Sequence, residues 1–107
     1  MRQLFWILDG HTPVTVGTVS EWNAWIEWAT QAGLRRVAFD VVGNGFLSTV
    51  FLGVDRGYGQ TAAPVLFETM LFTKDGPGEL IERYTTWDAA LTGHRAALIL
   101  LDAKALA

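Results

Sequence analysis

Between Arg36 and Tyr84 the chain alternates β-forming runs with short connections. None of these reaches the dozen or so residues that a crossover between parallel strands needs, which leaves an antiparallel meander. The reading places strands at Arg36–Val42, Phe46–Gly53, Val65–Phe72 and Glu79–Tyr84. Gly43-Asn44-Gly45 and Lys74-Asp75-Gly76-Pro77-Gly78 supply turns, because glycine and asparagine tolerate positive φ and proline pre-sets a bend. Val54–Ala63 is a longer loop carrying Asp55, Arg56, Gly57, Tyr58 and Gly59.

Two helices flank this β region. Thr18-Val19-Ser20-Glu21 fits a capping box, in which the Thr18 hydroxyl accepts the Glu21 N–H and the Glu21 carboxylate reaches back. The first helix then runs from about Val19 to Ala32, with Gly33 suited to the left-handed position that ends it. Trp22, Trp25, Ile26 and Ala29 recur at helical spacing, with Trp28 at the edge of their stripe. A stripe of this kind is read as core in preference to a ligand platform. The last helix starts near Thr86 and runs to about Asp102 or beyond, with Asp88 favouring the positive end of its dipole. Leu91, Leu98 and either Arg95 or His94 are expected along its inward side, flanked by Trp87 and Ile99. Gly93 within it costs about 1 kcal/mol against alanine, so it marks either a close backbone approach or a tolerated weakness. Leu4–Asp9 is a short opening strand, and Val14–Val16 a second small one.

The expected class is therefore α+β: one domain, residues 1–107, with a four- or five-stranded, mainly antiparallel sheet and two helices packed on one face of it. The second face poses a problem. Along the central strands Leu47, Thr49 and Phe51 alternate with Phe46, Ser48, Val50 and Leu52, and Val65, Phe67, Thr69 and Leu71 with Leu66, Glu68, Met70 and Phe72. Neither set is polar enough for a solvated face. Five Trp, six Phe and two Tyr in 107 residues add more ring surface than one small core needs. Both observations lead us to expect a homodimer.

Composition narrows the partners. The net charge is −3 and the eight basic residues are scattered, Arg35-Arg36 being their one adjacent pair. Direct binding of nucleic acid, which calls for a basic stripe, is disfavoured. Cysteine is absent, which removes disulfides and thiolate chemistry. The apolar run Leu4–Leu8 is too short for a signal-peptide core, and no run approaches a membrane span. The expectation is a soluble protein of the cytoplasm, with no membrane partner.

Candidate chemistry is sparse. Asp9-Gly10-His11 with His94 and Glu68 offers metal-ligating types without metal-ligating spacing, so His11 is read as capping a turn and His94 as hydrogen-bonding at the helix–sheet junction. Ser20 and Ser48 lack a nucleophile elbow, and Gly57-Tyr58-Gly59 is no phosphate loop. No catalytic residue, metal or cofactor is assigned. Glu68 and Arg83 are charges within neighbouring apolar strands, where an unpaired charge is costly. They form either a cross-strand ion pair or part of a ligand site in which Arg83, Tyr84 and Trp87 grip an anionic, planar group, with Asp55, Arg56 and Tyr58 as its rim.

The blocks Ser48–Asp55 (STVFLGVD), Leu66–Phe72 (LFETMLF) and Arg83–His94 (RYTTWDAALTGH), after the opening Trp6–Val14 (WILDGHTPV) and a Trp-containing helix, resemble a family of small proteins encoded by bacteriophages and prophages. The resemblance covers most of the chain. It departs at Arg56, where the family shows a His after Asp55, and this counts against a metal site in the loop. What the resemblance implies is a setting, the bacterial host cell, without a mechanism. The expectation is a non-enzymatic accessory protein that binds a host protein or a small nucleotide-like ligand and so antagonises a bacterial defence. A virion-associated structural component and a small hydrolase are the alternatives.

Overall fold

The computed structural model describes residues 3–106, with side chains through 103. Its elements are β1 (Trp6–Asp9), β2 (Thr12–Thr15), α1 (Val19–Ala32), β3 (Arg36–Val42), β4 (Gly45–Phe51), β5 (Phe67–Phe72), β6 (Glu79–Tyr84) and α2 (Trp87–Leu106). The fold is α+β. One antiparallel sheet has the order β3-β4-β5-β6, and β1 and β2 form a separate hairpin. The four-stranded sheet meets the lower of the two strand numbers expected. Among the described residues no helix is long and apolar enough to cross a membrane.

Local signals account for the element ends. The Thr18 Oγ accepts the Glu21 N–H at 3.1 Å, and Gly33 closes α1 at a φ of 73° with its N–H turned back to the helix carbonyls. Thr86 caps α2 in the same manner, its hydroxyl accepting the Ala89 N–H at 3.1 Å. β5 begins two residues later than the apolar run does. The pairing nevertheless continues past its end, since Leu52 N–H donates to Leu66 O at 2.7 Å and Leu66 N–H to Tyr84 O at 3.0 Å. Both edge strands carry a register shift, β3 between Arg36 and Ala38 and β6 opposite Thr69 and Met70. Irregularities of this kind blunt an edge against pairing with other chains.

The hairpin β1–β2 is tied to the end of β4 through an isolated bridge between Phe5 and Val54, with Trp6 N–H donating to Gly53 O at 2.8 Å. Helix α1 rests on β1, and its Trp22 Nε1 donates to both Trp6 O (3.1 Å) and Gly53 O (3.0 Å). Trp25 meets Phe51 edge-on, with ring centroids 5.8 Å apart. Helix α2 lies across all four strands of the main sheet. The core between these layers holds Leu8, Phe51, Leu66, Phe67, Tyr84 and Ala90, with Trp6, Trp25, Val37 and Trp87 packed against it. The rings of Phe51 and Phe67 are fully buried, and removal of such a ring costs about 3–5 kcal/mol.

The inward side of α2 holds His94, one of the two alternatives expected, and otherwise differs from expectation. Ala90, His94 and Ala97 are the buried residues, while Leu91 and Leu98 are half-buried, and Arg95 and Ile99 are exposed. The reason is distance: small side chains let the helix approach the sheet closely. At Gly93 an added Cβ would run into the ring of Tyr84. The close approach is that of the Tyr84 side chain and not of another backbone, and it explains this glycine.

The far face of the sheet carries Phe39, Phe46 and Phe72 in a row across β3, β4 and β5, with centroids 5.1 and 4.9 Å apart. Val41 beside them is 75% exposed. Both faces of the central strands are apolar, as their sequence alternation implies.

Candidate binding cleft

One concavity lies between α1, the β1–β2 turn and the start of α2. It has a volume of about 430 Å³ and is walled by Trp25, Trp28, Trp87, His11, Leu34 and Arg36, among others. That size falls within the range of small-molecule sites. Trp25 and Trp28 are three residues apart on α1, so both reach the same side of the helix. Trp87 is the first residue of α2, and Arg36 the first of β3. Gly10 and His11 form the turn between β1 and β2.

His11 lies flat on Trp87, with ring centroids 3.6 Å apart and planes 4° from parallel. Trp87 in turn meets the buried Phe67 edge-on at 6.3 Å, which anchors the stack to the core. The stack also borders a smaller depression of about 260 Å³ with Thr12, Pro13, Thr86 and Asp88. The Arg36 guanidinium is 4.7 Å from the centroid of Phe39, a cation–π contact that leaves its N–H donors open to another acceptor. Arg35 is committed elsewhere. Its Nε donates to Phe51 O at 3.0 Å and its Nη1 to Thr30 Oγ at 2.9 Å, and burial lowers its pKa from the ordinary value.

The residues singled out from sequence are not brought together. Arg83 Nε donates to Glu68 Oε2 at 2.9 Å on the outer face of the sheet, so the cross-strand pair is the observed arrangement. Tyr84 points the other way, into the core, as successive strand residues must. Trp87 alone of this trio lines the cleft. Asp55 is buried and so stands away from any rim. Its Oδ1 accepts the N–H groups of Gly57 and Val65, and its Oδ2 that of Gly59, so it shapes the loop. Arg56 and Tyr58 are exposed on that loop, with Arg56 Nη1 donating to the Tyr58 hydroxyl at 3.4 Å. His94 is buried at the helix–sheet junction, where it bonds Asp40 and Thr49.

Sequence reasoning passed over Trp25, Trp28, His11 and Arg36 as a group. The signal available was the pair Trp25 and Trp28 on one side of α1, which was absorbed into a core stripe. Among the described residues no group of three His, Asp or Glu side chains is placed to hold a metal ion. No family model, curated protein or solved structure matches the chain.

Proposed function

We propose that the chain is a non-enzymatic binding protein that takes a planar, anionic, nucleotide-like ligand in the cleft of Trp25, Trp28 and Trp87. The observation that carries this reading is that Trp25, Trp28, Trp87, His11 and Arg36 line one concavity. Indole faces stack on a base with about 1–3 kcal/mol per contact. Arg36 borders the same concavity, and its guanidinium, 4.7 Å from the Phe39 ring centroid, has the planar, paired donors that phosphate or carboxylate oxygens accept. The phage setting and the role in blunting a bacterial defence rest on the order of the sequence blocks, and sequestering a signalling nucleotide is the form of that role the cleft supports. The row Phe39, Phe46 and Phe72 favours a homodimer closed through the outer sheet face.

The test is titration with purine and pyrimidine nucleoside monophosphates and diphosphates, read by tryptophan fluorescence and calorimetry. Saturable binding that Arg36→Ala weakens while the thermal midpoint holds supports the reading. No saturation by any of these ligands at millimolar concentration overturns it.

A further inference from the structure

A continuous chain of hydrogen bonds crosses the buried face of the sheet. Asp40 Oδ2 lies 2.7 Å from His94 Nε2, and His94 Nδ1 lies 2.8 Å from Thr49 Oγ. Thr49 Oγ is 2.5 Å from Thr69 Oγ, which is 3.0 Å from the Tyr84 hydroxyl. Each strand of the sheet contributes one member and α2 contributes the imidazole. His94, Thr49 and Thr69 are fully buried, whereas the Asp40 side chain is 47% exposed.

The direction of this chain follows from counting protons. An ionised carboxylate only accepts, so the Nε2 facing Asp40 carries a proton. In the neutral ring Nδ1 is then bare, and Thr49 donates to it. A hydroxyl has one proton to give. Thr49 has spent its own, so Thr69 donates to Thr49 and Tyr84 donates to Thr69. In the imidazolium Nδ1 donates instead. Thr49 then turns its proton to Thr69, Thr69 turns its own to Tyr84, and the phenol proton leaves the chain. It faces the shallow cleft lined by Tyr84, Glu82, Asp88, Thr92 and Gly93.

We propose that this chain is a proton-operated switch, in which protonation of His94 reverses three buried hydroxyls and changes Tyr84 from a donor into the core to a donor toward the Glu82–Asp88 cleft. Protonation forms one new N–H bond, at Nδ1, since Nε2 already carries its proton. The proton gained comes from solvent at the Tyr84 end and is relayed through the three hydroxyls, each of which ends with one proton. The charged and titratable groups around it are Asp40 from β3, Tyr84 with the nearby charge of Glu82 from β6, and Arg95 and Asp88 on α2 itself. β4 and β5 contribute the hydroxyls of Thr49 and Thr69. Packing alone explains a closed polar network. A chain whose every direction is set by one titratable ring has in addition two states.

The experiment uses the full chain with isotope labels on the imidazole nitrogens and the tyrosine ζ-carbons, followed by nuclear magnetic resonance from about pH 8 to pH 5, where an imidazole titrates. The expected result is a neutral Nε2–H tautomer for His94 at the upper end and a Tyr84 ζ-carbon shift that shares the His94 midpoint. Thr49→Val keeps the shape and removes the hydroxyl, so His94 should still titrate while Tyr84 stays still. Thr69→Val makes the same separation where Thr49→Val does not fold. The proposal is overturned by a neutral Nδ1–H tautomer, by a ring that does not titrate while the fold persists, by a Tyr84 signal indifferent to His94, or by one that follows it equally in both valine variants.

Discussion

His11 and Trp87 are 76 positions apart in sequence (87 − 11) and lie as a parallel stack 3.6 Å between centroids. The stack joins the β1–β2 turn to the first residue of α2 and forms one wall of the cleft, while the Trp25 and Trp28 side of α1 forms another. The wall on the α2 side is anchored through Phe67, and the wall at Trp28 is exposed to 58%.

That asymmetry separates binding from stability. Trp28→Ala should leave the unfolding free energy within about 0.5 kcal/mol, as exposed substitutions do. The same change should weaken a nucleotide bound in the cleft roughly tenfold, the loss of one stacking face. Calorimetric titration beside chemical denaturation checks both. Equal affinity in the variant would remove Trp28 from the site.

Gly93→Ala gives a test of close packing against helix propensity. Propensity alone predicts a gain of about 1 kcal/mol. The added methyl meets the Tyr84 ring, and overpacking of this kind costs about 1–3 kcal/mol. The net expectation is a lower denaturation midpoint. A more stable variant would show that the helix moves away from the sheet at no cost.

For Glu68 and Arg83, side-chain exposures of 12% and 39% place the pair at the margin of the outer face. A double-mutant cycle with Glu68→Gln and Arg83→Met should give a coupling of about 0.2–1 kcal/mol, the range of solvent-exposed pairs. Arg83→Met should not alter nucleotide affinity, because Arg36 lines the cleft and Arg83 does not. If affinity falls with Arg83 and not with Arg36, the site lies on the outer face.

Tyr84 predicts the alkaline behaviour. Burial raises its pKa above the ordinary value, the Thr69 hydrogen bond opposes this, and the charge of Glu82 adds to it. A folded pKa above the unfolded one of about 10 contributes stability that is complete below that pH and is lost as pH rises through the folded value. Wild-type stability should therefore decline above about pH 10 more steeply than that of Tyr84→Phe. Parallel pH curves for the two proteins would contradict this.

Assembly is tested at Phe46, the middle ring of the row Phe39, Phe46 and Phe72. Light scattering at high micromolar concentration should give a dimer mass for the native chain and a monomer mass for Phe46→Glu. A native monomer would mean that the outer face stays open to solvent.

What the chain says of itself is mostly local. The ends of α1 are written in Thr18 and Gly33, and β3 and β6 occupy the spans their composition marks. Short connections between strands dictated the meander, and the apolar alternation of β4 and β5 foretold a sheet without a polar face. Capping, periodicity and loop length act within a few residues, so one sequence carries them openly. The pairing of Glu68 with Arg83 was also within reach, since the register of adjacent antiparallel strands puts these two opposite each other. The cleft was not. Residues 11, 25, 28, 36 and 87 belong to the hairpin turn, α1, β3 and α2, and they meet only because β1 docks on the end of β4 and α1 settles on β1. Nor was the chain from Asp40 to Tyr84, which needs α2 to lie close enough for His94 to reach β3 and β4 together. Such convergence depends on the docking of whole elements through the core. Its energy is spread over many apolar contacts, and no motif in the sequence records where it will bring two polar groups together.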